Sequence, residues 1–495
     1  MVTLAKPVKN PYWWWRALCL AIAIIAGIFY AVTLHQAHDW GGDFSQYIMH
    51  ARNIVEGLPY KETNHLQNPE LTIAPEVYPV VFPLLLAPVY ALFGLNLLAF
   101  KVVVVVCFAG FLLMLWPVFS PHLPARAVFF ITALIAFNPG FYLFKENILS
   151  EFPFIFFLFV CFFFMQRAFI ARKELNCWLF YGLVGVGLFL AIGTRSAGIV
   201  LIPAWLGAAF FKKEKQPNWI VYLGFSLAVF SGLYFLQALY MNSHGESYLD
   251  QFRKMYSPDM ISFNLKSYFN EAKMLWAEGA NRNFKLILLD LLLLLGVVGL
   301  GLRLYKRSFG VLEFFTLGTF ALLLIWPWYQ AFRMLIPLIP LVFFYAFYAV
   351  TTGFNRRPKV ALSLSGVLFI LWIFPYFKSY RNLEPKFPAD FLRPDTEEMF
   401  AFIKRTPANA RVMFVKPRVL ALYTGHKAMV PHCPEKLESF TAFLREHKIA
   451  FLVIPKKEFE VEVACLKKWV KQHPESTSLQ FSNAGFWIYK YVPAR

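Results

Sequence analysis

Apolar runs close to the length of a bilayer crossing recur along this chain, among them residues 17–33, 152–165 and 286–302. A helix needs about 20 apolar residues to cross the hydrocarbon core of a membrane. A soluble core could not hide so much apolar surface: 58% of the 495 residues are hydrophobic and only 16% are charged. The pattern predicts a mainly α, polytopic membrane protein of about eleven transmembrane helices. They fall near residues 17–34, 97–117, 127–143, 152–169, 178–193, 198–211, 218–240, 285–303, 310–327, 332–351 and 359–377. Residues 80–93 hold Pro83 and Pro88 and read as a juxtamembrane or re-entrant segment. Lys6, Lys9 and Arg16 precede the first run and no small-residue cleavage site follows it, so a retained first helix is expected.

The net charge of +19 does not point to nucleic acid, because the basic residues punctuate the apolar runs instead of forming one face. Arg126, then Arg167 with Arg172 and Lys173, then Lys212, Lys213 and Lys215, then Arg303, Lys306 and Arg307, then Arg356, Arg357 and Lys359 all fall on the amino-terminal side of an eleven-span arrangement. That side is expected to be cytoplasmic, and the membrane a cytoplasmic (inner) membrane. The other side collects Asp39, Asp43, Glu56, Glu62, Glu70, Glu76, Glu146, Glu151, Glu246, Asp250 and Asp259, so chemistry is expected there.

Residues 1–378 are expected to form the membrane domain, with a first outer loop over 35–96 containing juxtamembrane helices. Residues 379–495 change to ordinary soluble sequence and predict an extracytoplasmic α/β domain. Strands are expected at 411–415, 449–454 and 486–492, and a helix over 434–448. Asp395 with Glu398 reads as a capping box. Four cysteines lie in or beside apolar runs, which leaves Cys433 and Cys465 as the pair able to form a disulfide.

Two short acidic patches carry the candidate chemistry. Gly41-Gly42-Asp43 opens a stretch in which Phe44, Ile48, Ala51 and Val55 form one apolar stripe, predicting a helix on the membrane surface that ends at Gly57-Leu58-Pro59. Asp43 there is either its N-cap, completed by Gln46, or a functional carboxylate. Glu146 and Glu151 sit in a short turn between two apolar runs; they either solvate the turn or serve function, since acidic residues at membrane depth are costly.

The layout and its short motifs resemble the GT-C glycosyltransferases, in particular bacterial lipid A aminoarabinose transferases and protein O-mannosyltransferases. The resemblance rests on Gly42-Asp43-Phe44, on Glu76-Val77-Tyr78-Pro79 closing the first loop, on Ile148-Leu149-Ser150-Glu151, on Thr194-Arg195-Ser196, on Arg333-Met334-Leu335-Ile336-Pro337 and on the trailing soluble domain. It implies that a sugar passes from a polyisoprenyl-phosphate donor to an acceptor hydroxyl on a glycolipid, glycan or protein. Asp43 would then be the base on that hydroxyl and Glu151 the acidic residue of the second outer loop, with Glu146 beside it. Phe44 and Ser45 stand where many relatives carry a second acid, and Val80 follows Pro79 where relatives often have a second proline.

Such a displacement needs a base on the hydroxyl and positive charge on the departing phosphate, and no nucleotide. Arg333 is the first candidate for the phosphate, followed by Arg195 and Lys145, with interfacial snorkelling as the alternative for each. Glu76, Tyr78, His244 and Tyr256 are candidate substrate-loop residues, the last two in the long loop 241–284. His35, His38 and Asp39, with Glu76, have donor types suited to a divalent metal, although solvated polar residues explain them as simply. A lipid or glycan transporter or flippase would favour mid-span ionisable residues and broken repeats, which the sequence lacks. A lipid-dependent polymer ligase needs the same groups and stays an alternative.

Overall fold

The computed structural model describes residues 13–68, 75–212, 218–242, 248–276, 282–327, 329–381, 391–432 and 437–492. The membrane part contains α1 (Trp13–Val32), α2 (Gly42–Glu56), α3 (Val81–Phe93), α4 (Leu97–Phe119), α5 (Ala125–Ala136), α6 (Pro139–Phe144), α7 (Glu151–Ile170) and α8 (Glu174–Thr194). It continues with α9 (Leu201–Lys212), α10 (Trp219–Met241), α11 (Tyr248–Met255), α12 (Asp259–Ala272), α13 (Arg282–Tyr305), α14 (Val311–Ile325), α15 (Ile339–Gly353) and α16 (Pro358–Arg381).

Among the described residues seven helices are long and apolar enough to cross a membrane: α1, α4, α7, α8, α10, α13 and α16. The other four expected spans are shorter or broken. Asn138, which accepts from the Gly140 and Phe141 amides, and Pro139 restart the chain between α5 and α6. Arg195 is extended (φ −150°, ψ 125°) between α8 and a 3-10 turn at Ser196–Val200 that leads into α9. A second 3-10 turn, Ala331–Met334, separates α14 from α15. Irregular backbone at membrane depth is tolerated where protein buries it or it lines a cavity. The second and third breaks each supply a site residue, Arg195 and Arg333.

The carboxy-terminal part is a six-stranded sheet with four helices. Its strands are β2 (Arg411–Met413), β3 (Lys427–Met429), β4 (Ile449–Pro455), β5 (Thr477–Ser482) and β6 (Phe486–Tyr491), joined at one edge by β1 (His65–Leu66) from the loop after α2. The order is β1-β3-β2-β4-β6-β5, parallel across the first four strands and antiparallel at β6 and β5. The alternating or apolar sequence showed β2, β4 and β6, whereas the short β1 and β3 and the six-residue β5 were not expected from it. The helices are α17 (Pro394–Lys404), α18 (Pro417–Thr424), α19 (Leu437–Glu446) and α20 (Glu460–Gln472). The expected capping box at Asp395 is not formed: the N-cap is Arg393, and Asp395 pairs with its side chain at 3.3 Å. Cys433 lies outside the described residues.

α2 is not the surface helix that its stripe predicts. Phe44, Ile48 and Ala51 are buried, and so are Ser45, Gln46, His50 and Asn53 on the polar face. α18 and α3 both pack on α2, and of the stripe only Val55, near its end, stays exposed. The polar face holds loop backbone: Gln46 Nε2 donates to the Glu76 carbonyl (2.9 Å) and Asn53 Nδ2 to the Glu62 carbonyl (2.9 Å). His50 Nδ1 donates to the Tyr60 carbonyl (2.8 Å) and its Nε2 accepts from the Tyr78 amide (3.3 Å), a pattern that requires the neutral ring. Burial pushes its pKa down to about 3, which keeps that tautomer in place. The loop after α2 is thereby folded back so that Tyr78 stands over the amino end of α2.

Candidate functional site

Asp43 is the second residue of α2 and does not cap it: the N-cap is Gly41, and no side chain caps the helix. Its carboxylate points elsewhere. Oδ1 accepts from the Tyr78 hydroxyl at 2.7 Å, and Oδ2 accepts from Arg333 Nη1 at 2.9 Å. Arg418 Nη1, from α18, lies 3.5 Å from Oδ1 and donates to the Tyr78 hydroxyl oxygen at 2.8 Å. The Asp43 side chain remains 31% exposed, so substrate can reach it. Burial works to raise its pKa, but Arg333, Arg418 and the Tyr78 hydrogen bond outweigh that and hold it below the usual carboxylate range. It is an ionised acceptor at neutral pH.

Arg333 links this carboxylate to a second one. Its Nε donates to Glu151 Oε1 at 2.5 Å, and Arg195 Nη1 donates to the same oxygen at 2.5 Å. Arg195 Nη2 is held by Gln330 Oε1 at 2.9 Å. Glu151, the first residue of α7, is 1% exposed, and its Oε2 has no hydrogen-bond partner among the described residues. Three guanidiniums thus face two carboxylates, an excess of one positive charge. A cavity of about 20 Å³ adjoins Glu151, Arg195 and Arg333 and is otherwise lined by Thr319 and apolar residues such as Phe154, Leu322 and Pro337. It has room for roughly one water. A phosphate can enter only if the arginines turn from Glu151.

The structure therefore brings together Asp43, Glu151, Arg333, Arg195 and Tyr78. Glu146 and Lys145 belong to another cluster, in which Lys145 and Lys101 both pair with Glu146 (Lys101 at 2.8 Å) and His35 Nδ1 approaches it at 3.0 Å. Lys101 also donates to the His35 and Ala37 carbonyls (2.7 Å each), and Lys145 to the Thr33 carbonyl (2.7 Å), so the cluster fastens the chain leaving α1. Burial raises the Glu146 pKa less than the hydrogen bonds from Lys101 and Lys145 lower it, to about 2. Glu76 contributes its carbonyl to Gln46, Tyr256 packs on Phe252, and His244 lies outside the described residues. No group of three or more His, Cys, Asp or Glu side chains able to hold a metal occurs among the described residues. His38 pairs with Asp39 at 3.3 Å, away from His35 on Glu146.

The sequence reading missed Arg418, Gln330 and Lys101. Lys101 was discoverable as a lone charge inside an apolar run. Arg418 carries no local signal, because only the docking of the carboxy-terminal sheet delivers it.

A multi-pass helical membrane part, with an α/β part seated over an acidic and arginine-rich site, is a recognisable architecture. No family model and no curated protein matches the sequence. Solved structures do match it in fold. The archaeal oligosaccharyltransferase AglB from Archaeoglobus fulgidus, in complex with an inhibitory peptide and a dolichol-phosphate, superposes with a TM-score of 0.63 over 97% of this chain and 74% of its own, at 11% identity. An A. fulgidus oligosaccharyltransferase in complex with zinc and sulfate gives 0.60 over 95% and 74%, at 13% identity. ArnT from Cupriavidus metallidurans, bound to undecaprenyl phosphate, gives 0.53 over 96% of this chain and 98% of its own, at 13% identity. The chain shares its fold with these three structures.

Proposed function

We propose that this protein is a membrane glycosyltransferase that transfers a sugar from a polyisoprenyl-phosphate donor to an acceptor hydroxyl on the extracytoplasmic face. The observation that carries this reading is the Asp43–Arg333–Glu151–Arg195 chain, whose last three members line a small cavity among mostly apolar residues. The dolichol and undecaprenyl phosphates bound to two of the similar structures support the donor class.

In this mechanism the acceptor oxygen attacks the anomeric carbon, the bond from that carbon to the phosphate oxygen breaks, and the hydroxyl proton passes to Asp43. The lipid phosphate leaves with one more negative charge than it held in the donor. The excess positive charge of the three arginines favours that state over the ground state, which is what lowers a barrier. Arg195 and Arg333, both tied to Glu151, are the guanidiniums able to exchange that carboxylate for phosphate oxygens. Tyr78 and Arg418 hold Asp43 in one orientation and ionised. The disulfide at Cys465 is compatible with an oxidising, extracytoplasmic compartment for the carboxy-terminal part.

The test is release of free polyisoprenyl phosphate from purified protein given a panel of polyisoprenyl-phosphate-linked sugars and a membrane extract as acceptor source. Arg333→Ala should impair use of limiting donor more than Arg333→Lys, which keeps the charge and loses the bidentate fork. Release that no donor in the panel elicits above a protein-free control refutes the proposed activity.

A further inference from the structure

The opposite end of the helical bundle carries a second pocket that the proposed transfer does not use. Arg167 lies sixteen residues along α7 from Glu151, roughly 24 Å at the helical rise. Beside it a cavity of about 190 Å³ is lined by His122, Gln166, Arg167, Arg303, Gly310 and Glu313 among apolar neighbours. One ordered water needs only about 10–15 Å³ of such space, so the cavity holds more than a single water.

Two features define what the cavity asks for. Glu313, in the first turn of α14, is 1% exposed; Arg303 Nε holds its Oε1, while its Oε2 is buried with no hydrogen-bond partner among the described residues. Arg303 is itself confined, 4% exposed, with its guanidinium over the Phe344 and Tyr348 rings at 5.4 and 5.1 Å. Gly310 is extended (φ −157°, ψ −173°), a conformation any residue adopts, so its backbone does not demand glycine. A Cβ there would stand 3.2 Å from Glu313 Oε2. The missing side chain leaves that oxygen uncrowded on this side. Arg167, at the exposed rim, supplies positive charge at the entrance.

A buried carboxylate oxygen calls for a donor, and a cation at the rim calls for an anion behind that donor. We propose that this pocket binds a phosphoethanolamine group, its ammonium donating to Glu313 Oε2 and its phosphate facing Arg167. The apolar lining and the position at the ends of α4, α7 and α13 favour a membrane aminophospholipid as the source. Phosphatidylcholine has no N–H to donate, which makes it the discriminating control.

Native mass spectrometry of the delipidated full-length protein tests this with dioctanoyl phosphatidylethanolamine, phosphatidylcholine and phosphatidylglycerol, and with soluble phosphoethanolamine as competitor. Wild type should bind the ethanolamine lipid at least about ten-fold better than the choline lipid, the ratio expected for one charge-assisted hydrogen bond. Glu313→Gln should reduce that preference. Gly310→Ala, which keeps both Arg303 and Glu313, should reduce it too, so a folding defect in the first variant does not decide the matter. Competition by soluble phosphoethanolamine supports the headgroup chemistry and assigns a soluble source; its failure to compete assigns the lipid. Equal binding of choline and ethanolamine lipids, equal binding of phosphatidylglycerol, or a preference unchanged in both variants overturns the proposal.

Discussion

Replacing Asp43 by asparagine separates a catalytic carboxylate from one that merely ties the loop together. The asparagine side chain would keep an oxygen able to accept from the Tyr78 hydroxyl, now 2.7 Å from the carboxylate. Arg333 would keep its bond to Glu151 at 2.5 Å, and Arg418 its bond to Tyr78 at 2.8 Å. What disappears is the hydrogen bond from Arg333 at 2.9 Å, because an amide nitrogen cannot accept it, together with the negative charge 3.5 Å from Arg418, on a side chain 31% exposed. Such a loss is worth about 1–2 kcal/mol of stability, because charge-assisted bonds contribute about 1.5–3 kcal/mol when both partners are fully desolvated. A general base contributes about a hundred- to ten-thousand-fold in rate, or about 3–5.5 kcal/mol in the barrier. The two roles therefore differ in kind: the melting temperature should move by a few degrees at most, while kcat collapses and donor binding persists. The assay is transfer from purified lipid-linked donor at matched protein levels, with thermal unfolding in parallel. Turnover above roughly a tenth of wild type, with normal stability, refutes the base assignment and moves attention to Glu151.

Arg418→Ala removes one of the two positive charges holding the Asp43 pKa down, so that pKa rises and the acidic limb of the pH–rate profile should move to higher pH; an unmoved limb detaches Arg418 from the site. The sign follows from Asp43 acting as a carboxylate: activity is present above its pKa and lost as pH falls through it. Lys101→Met leaves Glu146 with one fewer buried cation and should destabilise the protein by about 3–5 kcal/mol, read as aggregation or a lowered melting temperature, with Lys101→Met/Glu146→Gln partly restoring it; wild-type melting of the single variant refutes the cluster's structural role. Single cysteines introduced at Arg357 and at Lys427 should label from opposite sides of the membrane, Lys427 from outside, and the reverse pattern inverts the proposed orientation.

Much about this protein was legible from local sequence, because the governing physics is local. The length of an apolar run decides whether it can cross a bilayer, and among the described residues seven helices are long and apolar enough to do so. The placement of acids opposite the basic connections put Asp43 and Glu151 on one side, and the Thr194-Arg195-Ser196 and Arg333 segments were singled out by their resemblance to GT-C motifs. The sequence could not say that α2 is covered on both faces, since an apolar stripe reads the same on a membrane surface as beneath a docked domain. Nor could it separate Glu146 from Glu151, five residues apart, one locked by Lys101 and the other shared by two arginines. Those distinctions depend on contacts between residues far apart in the chain: 290 positions separate Asp43 from Arg333, and 375 separate it from Arg418. A hydrogen bond across such separations leaves no periodicity or spacing to read. Only the packing of α2 between the helical bundle and the carboxy-terminal sheet decides which carboxylate meets which arginine.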